Sequence, residues 1–125
     1  RQSSGDIAAV AMSTSALASA HFYAGNFDES RRLNERTLEL RKRAHGERHP
    51  MVAENLTNLG AIEFDTGQYA RAEEYYRRVL IIKEGWYGSG HPETASALTM
   101  LGRALVYQKK NVEAQSLLER ALSIQ

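Results

Sequence analysis

Two histidines at equivalent positions are the residues of this sequence most suggestive of chemistry. His49-Pro50 and His91-Pro92 are separated by 42 residues. A pair of imidazoles can bind a transition metal, but equivalent positions of neighbouring helical units lie about 10 Å apart. Zinc–imidazole bonds of about 2 Å cannot bridge that distance. The spacing therefore favours histidines that begin helices ahead of a proline, and we expect no metal site.

Residues able to act as nucleophiles, acids or bases occur without a catalytic spacing. Serines, histidines and carboxylates are present, yet none forms a nucleophile elbow, a paired-carboxylate site or a phosphate-binding loop. The sequence contains no cysteine, which excludes disulfides, thiolate zinc sites and cysteine nucleophiles. We therefore predict that the chain is not an enzyme and needs no cofactor.

Basic residues are concentrated between positions 31 and 48. They are Arg31, Arg32, Arg36, Arg41, Lys42, Arg43, His45 and Arg48. Such a cluster can bind phosphates, so a nucleic-acid-binding helical array is one alternative. Four glutamates interleave with it, and the formal net charge is only +1; the glutamates are Glu29, Glu35, Glu39 and Glu47. This pattern favours a solvated helix face with ion pairs four residues apart, so nucleic acid is not the expected partner.

Composition indicates an ordinary globular chain. Of its 125 residues 42% are hydrophobic and 25% are charged, which suits a single domain over 1–125. The longest fully apolar run, residues 7–12, is too short to cross a bilayer, so no membrane partner is expected. The lack of cysteine is compatible with a reducing compartment, and we expect a cytoplasmic location. The chain begins with Arg1 and stops at Gln125 inside a helical pattern, so we expect a fragment of a larger protein.

A skeleton of apolar and small residues recurs every 42 residues. Leu56, Leu59 and Gly60 return as Leu98, Leu101 and Gly102, and Ala72, Arg78 and Leu80 return as Ala114, Arg120 and Leu122. The same offset fits Ala11, Leu17, Phe22 and Gly25 upstream, more faintly. A fixed period of this size is typical of stacked supersecondary units, none of which buries its apolar stripe alone. Three repeats are therefore predicted, at about 6–45, 49–87 and 91–125.

Each repeat reads as a helix, a short turn and a second helix. The six helices are predicted at about 6–24, 27–43, 50–65, 69–85, 92–108 and 112 to the end. Pro50 and Pro92 suit the first turn of a helix, where no acceptor awaits the missing N–H. Ser4 or Asp6 is expected to cap the first helix, and Asn26 with Glu29 resembles a capping box. Strand signals are nearly absent, which predicts an all-α fold.

Residues of the second repeat resemble a known family. Leu59-Gly60, Gly67, Tyr69, Ala72, Tyr76 and Val79 are similar to the tetratricopeptide repeat, a helix–turn–helix unit of 34 residues. The period here is longer by eight, and the G-x-x-H-P linkers at 46–50 and 88–92 are similar to those of the kinesin-light-chain type. The resemblance implies a right-handed α-solenoid of three helix-turn-helix repeats.

The resemblance also implies a function, that of a scaffold for protein–protein interaction. Such arrays bind a peptide or partner segment in a concave groove lined by the first helix of each repeat. The matching positions here are Met12, Ser15, Ser19, Phe22, Glu54, Thr57, Asn58, Ala61, Phe64, Asp65, Ser96, Thr99, Arg103 and Tyr107. A second implication is a regulatory arm of a larger enzyme, such as a bacterial signalling kinase.

Two groove positions are singled out by this resemblance. Asn58 matches an asparagine that holds the peptide backbone in kinesin light chains, whereas Ala16 and Met100 stand at that place in the other repeats. The basic clamp by which some relatives grip a terminal carboxylate is absent. Arg103 remains able to hold an acidic group through paired hydrogen bonds.

Three further expectations concern packing. Glu63 falls at a helix–helix seam, where a lone carboxylate is costly, so we predict that His21 or an arginine is its partner. Tyr75, Tyr76 and Trp86 are expected to pack in the core or between repeats rather than stack on a ligand. The last helix carries an apolar face with nothing after it to cover it, which predicts self-association. That face consists of Leu117, Leu118, Leu122 and Ile124.

Overall fold

A computed structural model describes residues 3–124 of the chain. This part forms six α-helices and no strand. The helices are α1 (Ser4–Tyr23), α2 (Phe27–His45), α3 (Pro50–Asp65), α4 (Tyr69–Tyr87), α5 (Pro92–Tyr107) and α6 (Asn111–Ile124). They pair as three antiparallel hairpins, and α2 packs on α3 and α4 on α5 to join the hairpins into one array. The predicted all-α repeat fold is confirmed. Between residues 3 and 124, no helix is both long enough and apolar enough to cross a membrane.

The two histidines before proline begin helices. His49 Nδ1 accepts a hydrogen bond from the backbone N–H of Met51, at 3.0 Å, and Pro50 opens α3. His91 repeats the arrangement with the N–H of Glu93, also at 3.0 Å. Each cap satisfies one of the N–H groups that a helix start leaves without an intrahelical acceptor. The imidazoles therefore serve as helix caps, as the sequence predicted.

The two capping predictions for the first repeat were wrong. Ser3, not Ser4 or Asp6, caps α1; its hydroxyl accepts from the N–H of Asp6, whose carboxylate accepts in return from the N–H of Ser3. Asn26 makes no cap hydrogen bond, because its backbone (ψ 71°) is not in the extended conformation of an N-cap. Its amide nitrogen lies 3.2 Å from Nδ1 of His21 instead.

The turns inside the three hairpins share a left-handed residue. Gly25 has φ 83°, Gly67 has φ 82° and Lys109 has φ 62° at the equivalent place. Glycine adopts this conformation without steric cost, whereas a residue with a Cβ does not. The third hairpin therefore keeps the turn of the other two in spite of its lysine.

The core consists of several clusters of buried side chains along the array. One cluster of buried side chains joins the second hairpin to the third, and it includes Leu56, Leu59, Val79, Ile82 and Ala97. A second cluster follows it, and it includes Ala72, Tyr76, Leu101, Leu105 and Ala114. Tyr75 packs partly buried against the first cluster, whereas Trp86 is 55% exposed and its ring lies 5.0 Å from that of His49. The tyrosines thus pack as predicted, and Trp86 lies at the surface against the linker.

The two junctions between repeats differ in chemistry. The first seam is the contact of α2 with α3, and it buries Asn34, Asn55 and Arg41. Arg41 donates a hydrogen bond to Asn55, which in turn donates one to Asn34. At the second seam, where α4 packs on α5, Tyr76 and Ala97 stand at the places of Asn34 and Asn55. The first seam therefore has a buried polar network beside the apolar contact of Leu38, and the second seam replaces two members of that network by Tyr76 and Ala97.

Burial of Arg41 corrects one prediction about the basic helix face. Arg41 is 3% exposed and donates from one guanidinium nitrogen to Asn55 Oδ1 (2.9 Å), Glu54 Oε1 (3.1 Å) and the carbonyl oxygen of Met51 (3.2 Å). It lies in the seam because the buried asparagine and the carbonyl need a donor there. Elsewhere on α2 the ion pairs join residues three apart, as in Arg32–Glu29 and Lys42–Glu39.

Glu63 has the arginine partners that the sequence predicted. Its carboxylate is buried, and Oε1 accepts from Arg31 at 2.9 Å. Nη2 of Arg71 lies 3.3 Å from Oε2, close enough for an ion pair but without hydrogen-bond geometry. Since Arg31 belongs to α2 and Glu63 to α3, this pair also crosses the first seam.

Candidate functional site

The first helices of the three repeats lie side by side and share one face. A recess between α1 and α3 is lined by residues of both, and the Phe64 ring of α3 lies 5.0 Å from that of Tyr107 on α5. Several side chains here, among them Asn58, Phe64 and Tyr107, are ones that the family resemblance assigned to a groove. The shared face is therefore the candidate binding surface.

Most of the predicted groove residues are accessible to solvent. Glu54, Asp65, Ser96, Arg103, Tyr107 and Met12 are exposed, and Ser19, Phe22, Thr57, Asn58, Ala61, Phe64 and Thr99 are partly buried. Ser15 is the exception, because it is only 7% exposed. Its side chain is buried, so the prediction that it lines the groove was wrong.

A recess at the first seam brings together Ser19, Phe22, Asn58 and Ala61. Its volume is about 140 Å³, and Tyr23 and Asn34 complete the lining. Neither of these two was predicted from the sequence. The signal for Asn34 was available in the repeat register, because it stands 42 residues before the bulky Tyr76.

A second, more open depression of about 400 Å³ lies beside the recess on α3. Glu54, Thr57 and Asn58 line it, together with Lys83 and Tyr87 of α4. The Thr57 hydroxyl donates to the carbonyl of Ala53 at 2.9 Å, within its own helix. Asn58 lines both depressions and so lies at the centre of the face.

An aromatic cluster with one arginine forms the third part of the face. The rings of Phe64, Tyr69 and Tyr107 lie about 5 Å apart, centroid to centroid: 5.1 Å, 5.0 Å and 4.9 Å for the three pairs. The Arg103 guanidinium lies 4.8 Å above the Phe64 ring. Among residues 3–124 no carboxylate lies within ion-pair distance of Arg103. Its hydrogen-bonding edge is therefore available to a ligand.

The charge of Arg103 also acts on the residue beneath this cluster. Burial raises the pKa of the Tyr76 hydroxyl to about 12, and the positive charge of Arg103 opposes the rise. Tyr76 is therefore a neutral phenol at physiological pH, and it contributes packing rather than charge to the face.

Thr99 does not join the other predicted residues. It lines a depression of about 340 Å³ with Leu118, Ala121 and Leu122, between α5 and α6. Leu122 is 71% exposed and Val112, at the start of α6, is 88% exposed. This apolar end of the array is where self-association was expected, and that expectation stays a prediction.

Metal-binding side chains do not come together in the described part of the chain. No group of three or more His, Cys, Asp or Glu residues there is arranged to hold an ion. The rings of His49 and His91 stack instead on His45 and Tyr87, at 4.4 Å and 4.6 Å between centroids.

Comparison with known proteins identifies the family. The tetratricopeptide repeat model matches residues 8–85 and again residues 51–125. The crystal structure of BtubC (BKLC) from P. vanneervenii superposes with a TM-score of 0.88 at 26% identity, over 100% of this chain and 48% of that one. Two structures of a putative kinesin light chain with nearly identical TPR-like repeats, from Podosopora anserina, give TM-scores of 0.78 at 27% identity. They cover 92% of this chain and 54% and 55% of theirs.

The chain spans about half the length of these solved structures. No curated protein sequence matches it. The structural neighbours agree with the resemblance to kinesin-light-chain repeats, and the family model covers the hairpins from α1 to α6. The chain belongs to the tetratricopeptide repeat family.

Proposed function

We propose that the chain binds an extended segment of a partner protein along the shared face of α1, α3 and α5. Repeats of this family generally mediate protein–protein interaction, and the structural neighbours belong to a typically non-catalytic class of scaffold. The observation that carries the proposal is the alignment of Asn58, Phe64 and Arg103 on one accessible face, with polar groups left free for a ligand.

Asn58 supplies recognition of a peptide backbone. A primary amide offers two donors and an acceptor, which matches the C=O and N–H of one peptide unit. Within residues 3–124 its amide nitrogen makes one hydrogen bond, a long one of 3.5 Å to Asn34 Oδ1. Its carbonyl oxygen accepts no hydrogen bond from the other described residues. Asn58 therefore binds a partner without first breaking a strong internal bond.

Arg103 supplies recognition of an acidic side chain. Its guanidinium face lies over Phe64, which fixes the plane of the group and leaves its N–H edge free. A planar guanidinium binds a carboxylate through two parallel hydrogen bonds. The expected partner segment thus carries an aspartate or glutamate toward the end that lies over α5.

The nucleic-acid alternative is weakened by the structure of α2. Arg41 is buried in the first seam, while Arg31, Arg32 and Lys42 pair with carboxylates. Few cations of this helix are left to neutralise phosphates, and phosphate contacts are what make such binding strong. A salt titration with RNA or DNA that shows no binding at low salt ends this alternative.

Selection from a random peptide library displayed on phage, with the chain as bait, tests the proposal. Affinities of the enriched peptides are then measured by fluorescence anisotropy for the wild type and for the N58A/R103A double variant. We expect at least a tenfold loss, because two hydrogen-bonding groups of the face are removed. The matched control is R36A/R78A, two exposed arginines at equivalent places on α2 and α4. Equal affinities for the wild type and the N58A/R103A protein would contradict the proposal.

A further inference from the structure

The recess at the first seam exists because a tyrosine is replaced by an asparagine. In the second hairpin Tyr76 of α4 packs on Gly60 of α3, and a Cβ atom at that glycine would lie 2.5 Å from the ring. The equivalent pair in the first hairpin is Asn34 with Ala18. The shorter asparagine leaves room for the alanine methyl group and leaves a space above it. That space is the recess of about 140 Å³.

The hydrogen bonds behind the recess fix how Asn34 is oriented. Arg41 has only donors, so Asn55 must present its carbonyl oxygen to it, at 2.9 Å. Asn55 therefore turns its NH₂ group toward Asn34, whose Oδ1 accepts at 3.3 Å. The NH₂ group of Asn34 donates to the backbone carbonyl of Ser30 at 3.0 Å. This series of hydrogen bonds begins at a group that can only donate, Arg41, and ends at a carbonyl oxygen that can only accept. Both asparagine amides therefore have a single possible orientation.

This arrangement gives the recess a defined set of polar groups. Asn34 lines it with an amide that is already paired, because its Oδ1 accepts from Asn55 at 3.3 Å and lies 3.5 Å from the Asn58 amide nitrogen. Asn58 contributes a free carbonyl oxygen, and the Ser19 hydroxyl makes no hydrogen bond to another of the described residues. The remaining lining is apolar or aromatic, from Phe22, Tyr23 and Ala61.

The lining selects the chemistry of what enters. None of the six lining side chains carries a charge, so a carboxylate or an ammonium group would be desolvated there without a counter-ion. A purely apolar side chain would cover the Asn58 carbonyl oxygen and the Ser19 hydroxyl and leave both without a partner. A primary amide offers donors to that oxygen and an acceptor to that hydroxyl, and its alkyl stem packs on the Phe22 ring. The volume equals about four or five waters at about 30 Å³ each, which leaves room for the five heavy atoms of a glutamine side chain.

We propose that the first-seam recess is a specificity pocket for a glutamine or asparagine side chain of the bound segment. This inference rests on the proposed function, because it names one residue class of the partner. At the second seam three bulkier residues, Tyr76, Met100 and Arg103, stand at the places of Asn34, Asn58 and Ala61. The array thus reads a neutral amide at the first seam and an acidic group at the second.

The pocket is tested without any partner by NMR titration of the whole chain with N-acetyl-glutamine amide. We expect saturable shifts of the side-chain NH₂ signals of Asn34 and Asn58, and at least tenfold weaker binding of N-acetyl-glutamate amide and N-acetyl-leucine amide. The variant N58M, which copies the residue of the second seam, should lose the glutamine response. A18G/N34Y rebuilds the tyrosine–glycine pair of the second hairpin in the first and fills the pocket with a ring. Equal shifts with the three probes, or an unchanged response in N58M, would overturn the pocket.

Peptides selected on the chain separate this inference from the proposed function. Consider a selected peptide whose binding depends on Asn58 and Arg103 and which contains a glutamine or asparagine. Changing that residue to glutamate should weaken binding to the wild type at least tenfold. The same change should weaken binding to the N58M variant less than twofold. If the selected peptides need Asn58 and Arg103 but carry no amide side chain, the groove proposal stands and the pocket proposal is wrong. Peptides indifferent to both residues would overturn the groove, and the NMR titration then decides the pocket alone.

Discussion

The ring of Tyr76 packs directly on the backbone of Gly60, where the two helices of the second hairpin approach most closely. A Cβ atom at Gly60 would lie 2.5 Å, 2.9 Å and 3.0 Å from three carbons of that ring. Gly102 and Leu118 repeat the contact in the third hairpin, with a closest approach of 2.7 Å. Absence of a side chain is therefore required at this register position whenever the facing residue is large.

Replacing Gly60 by alanine should destabilise the chain by up to about 2 kcal/mol. Overpacking costs about 1–3 kcal/mol, and the better helix propensity of alanine returns about 1 kcal/mol of it. The matched control is Gly85→Ala in α4, where nothing lies within 4 Å of the added carbon, so that variant should gain up to about 1 kcal/mol. Urea unfolding monitored by circular dichroism measures both. Equal effects of the two substitutions would contradict the close contact.

Replacing Lys109 by glycine should stabilise the third hairpin. Lys109 has φ 62°, a conformation that costs a residue with a Cβ about 1–2 kcal/mol. Glycine removes that cost but loses about 0.5–1 kcal/mol through the greater freedom of the unfolded chain. The expected net gain is about 0.5–1 kcal/mol in the free energy of unfolding. Lys109→Ala is the control, because it removes the charge and keeps the strained backbone. An equal gain from alanine would assign the effect to charge instead.

Periodicity predicted the six helices because it reports local chemistry that every repeat shares. Both ends of α3 agree with the prediction, since Pro50 and the turn at Gly67 mark them. α2 and α4 each continue two residues further than predicted, to His45 and Tyr87. Those rings stack on His49 and His91, and a contact across a linker cannot be read from helix propensity. Tertiary packing therefore decided the helix ends that the sequence missed.

The candidate site was predicted in part for a similar reason. The resemblance to the tetratricopeptide repeat assigned Asn58, Phe64 and Arg103, on α3 and α5, to one groove. It did not reveal that Arg41 is buried, because a basic residue among glutamates looks solvated until its neighbours across the seam are known. Asn34 was missed because it lies on a second helix and enters the face only through the gap left by a missing tyrosine ring.

Removing Arg31 should destabilise the first seam strongly. Glu63 is buried and would keep only Arg71, which lies 3.3 Å away without hydrogen-bond geometry. Arg31→Ala should therefore cost about 3 kcal/mol of unfolding free energy, the scale for a buried charge that loses its partner. Arg32→Ala breaks only the exposed pair with Glu29 and should cost less than about 1 kcal/mol.

A compensating variant checks the cause of that loss. Leu105 stands at the place of Glu63 in the third repeat and is completely buried. The double variant R31A/E63L should recover most of the stability, because it removes the uncompensated charge together with its partner. If the double variant unfolds as easily as R31A, the loss comes from packing of the arginine stem rather than from the charge of Glu63.

Stability should fall as the pH drops below about 6.5, through His49. Burial, and then the nearby His45, lowers the pKa of His49 in the folded chain, whereas the unfolded chain keeps the ordinary value. The unfolded state then binds more protons in this range, so the free energy of unfolding rises with pH. This contribution is complete above about pH 6.5 and is lost as the pH falls toward the lowered pKa. The structural reason is that Nδ1 accepts from the N–H of Met51 at 3.0 Å, and a protonated ring has no acceptor.

The substitution His49→Asn separates this effect from other titrations. Asparagine is a good N-cap residue and does not titrate, so the helix start is kept while the proton site is removed. Urea unfolding of the wild type and the variant between about pH 5 and pH 8 should give a shallower pH dependence for the variant, with similar stability at the alkaline end. Parallel curves for the two proteins would show that protonation of His49 does not contribute to the pH dependence of stability. In that case the cap tolerates a protonated ring, and the loss at acid pH arises among the carboxylates of the seams.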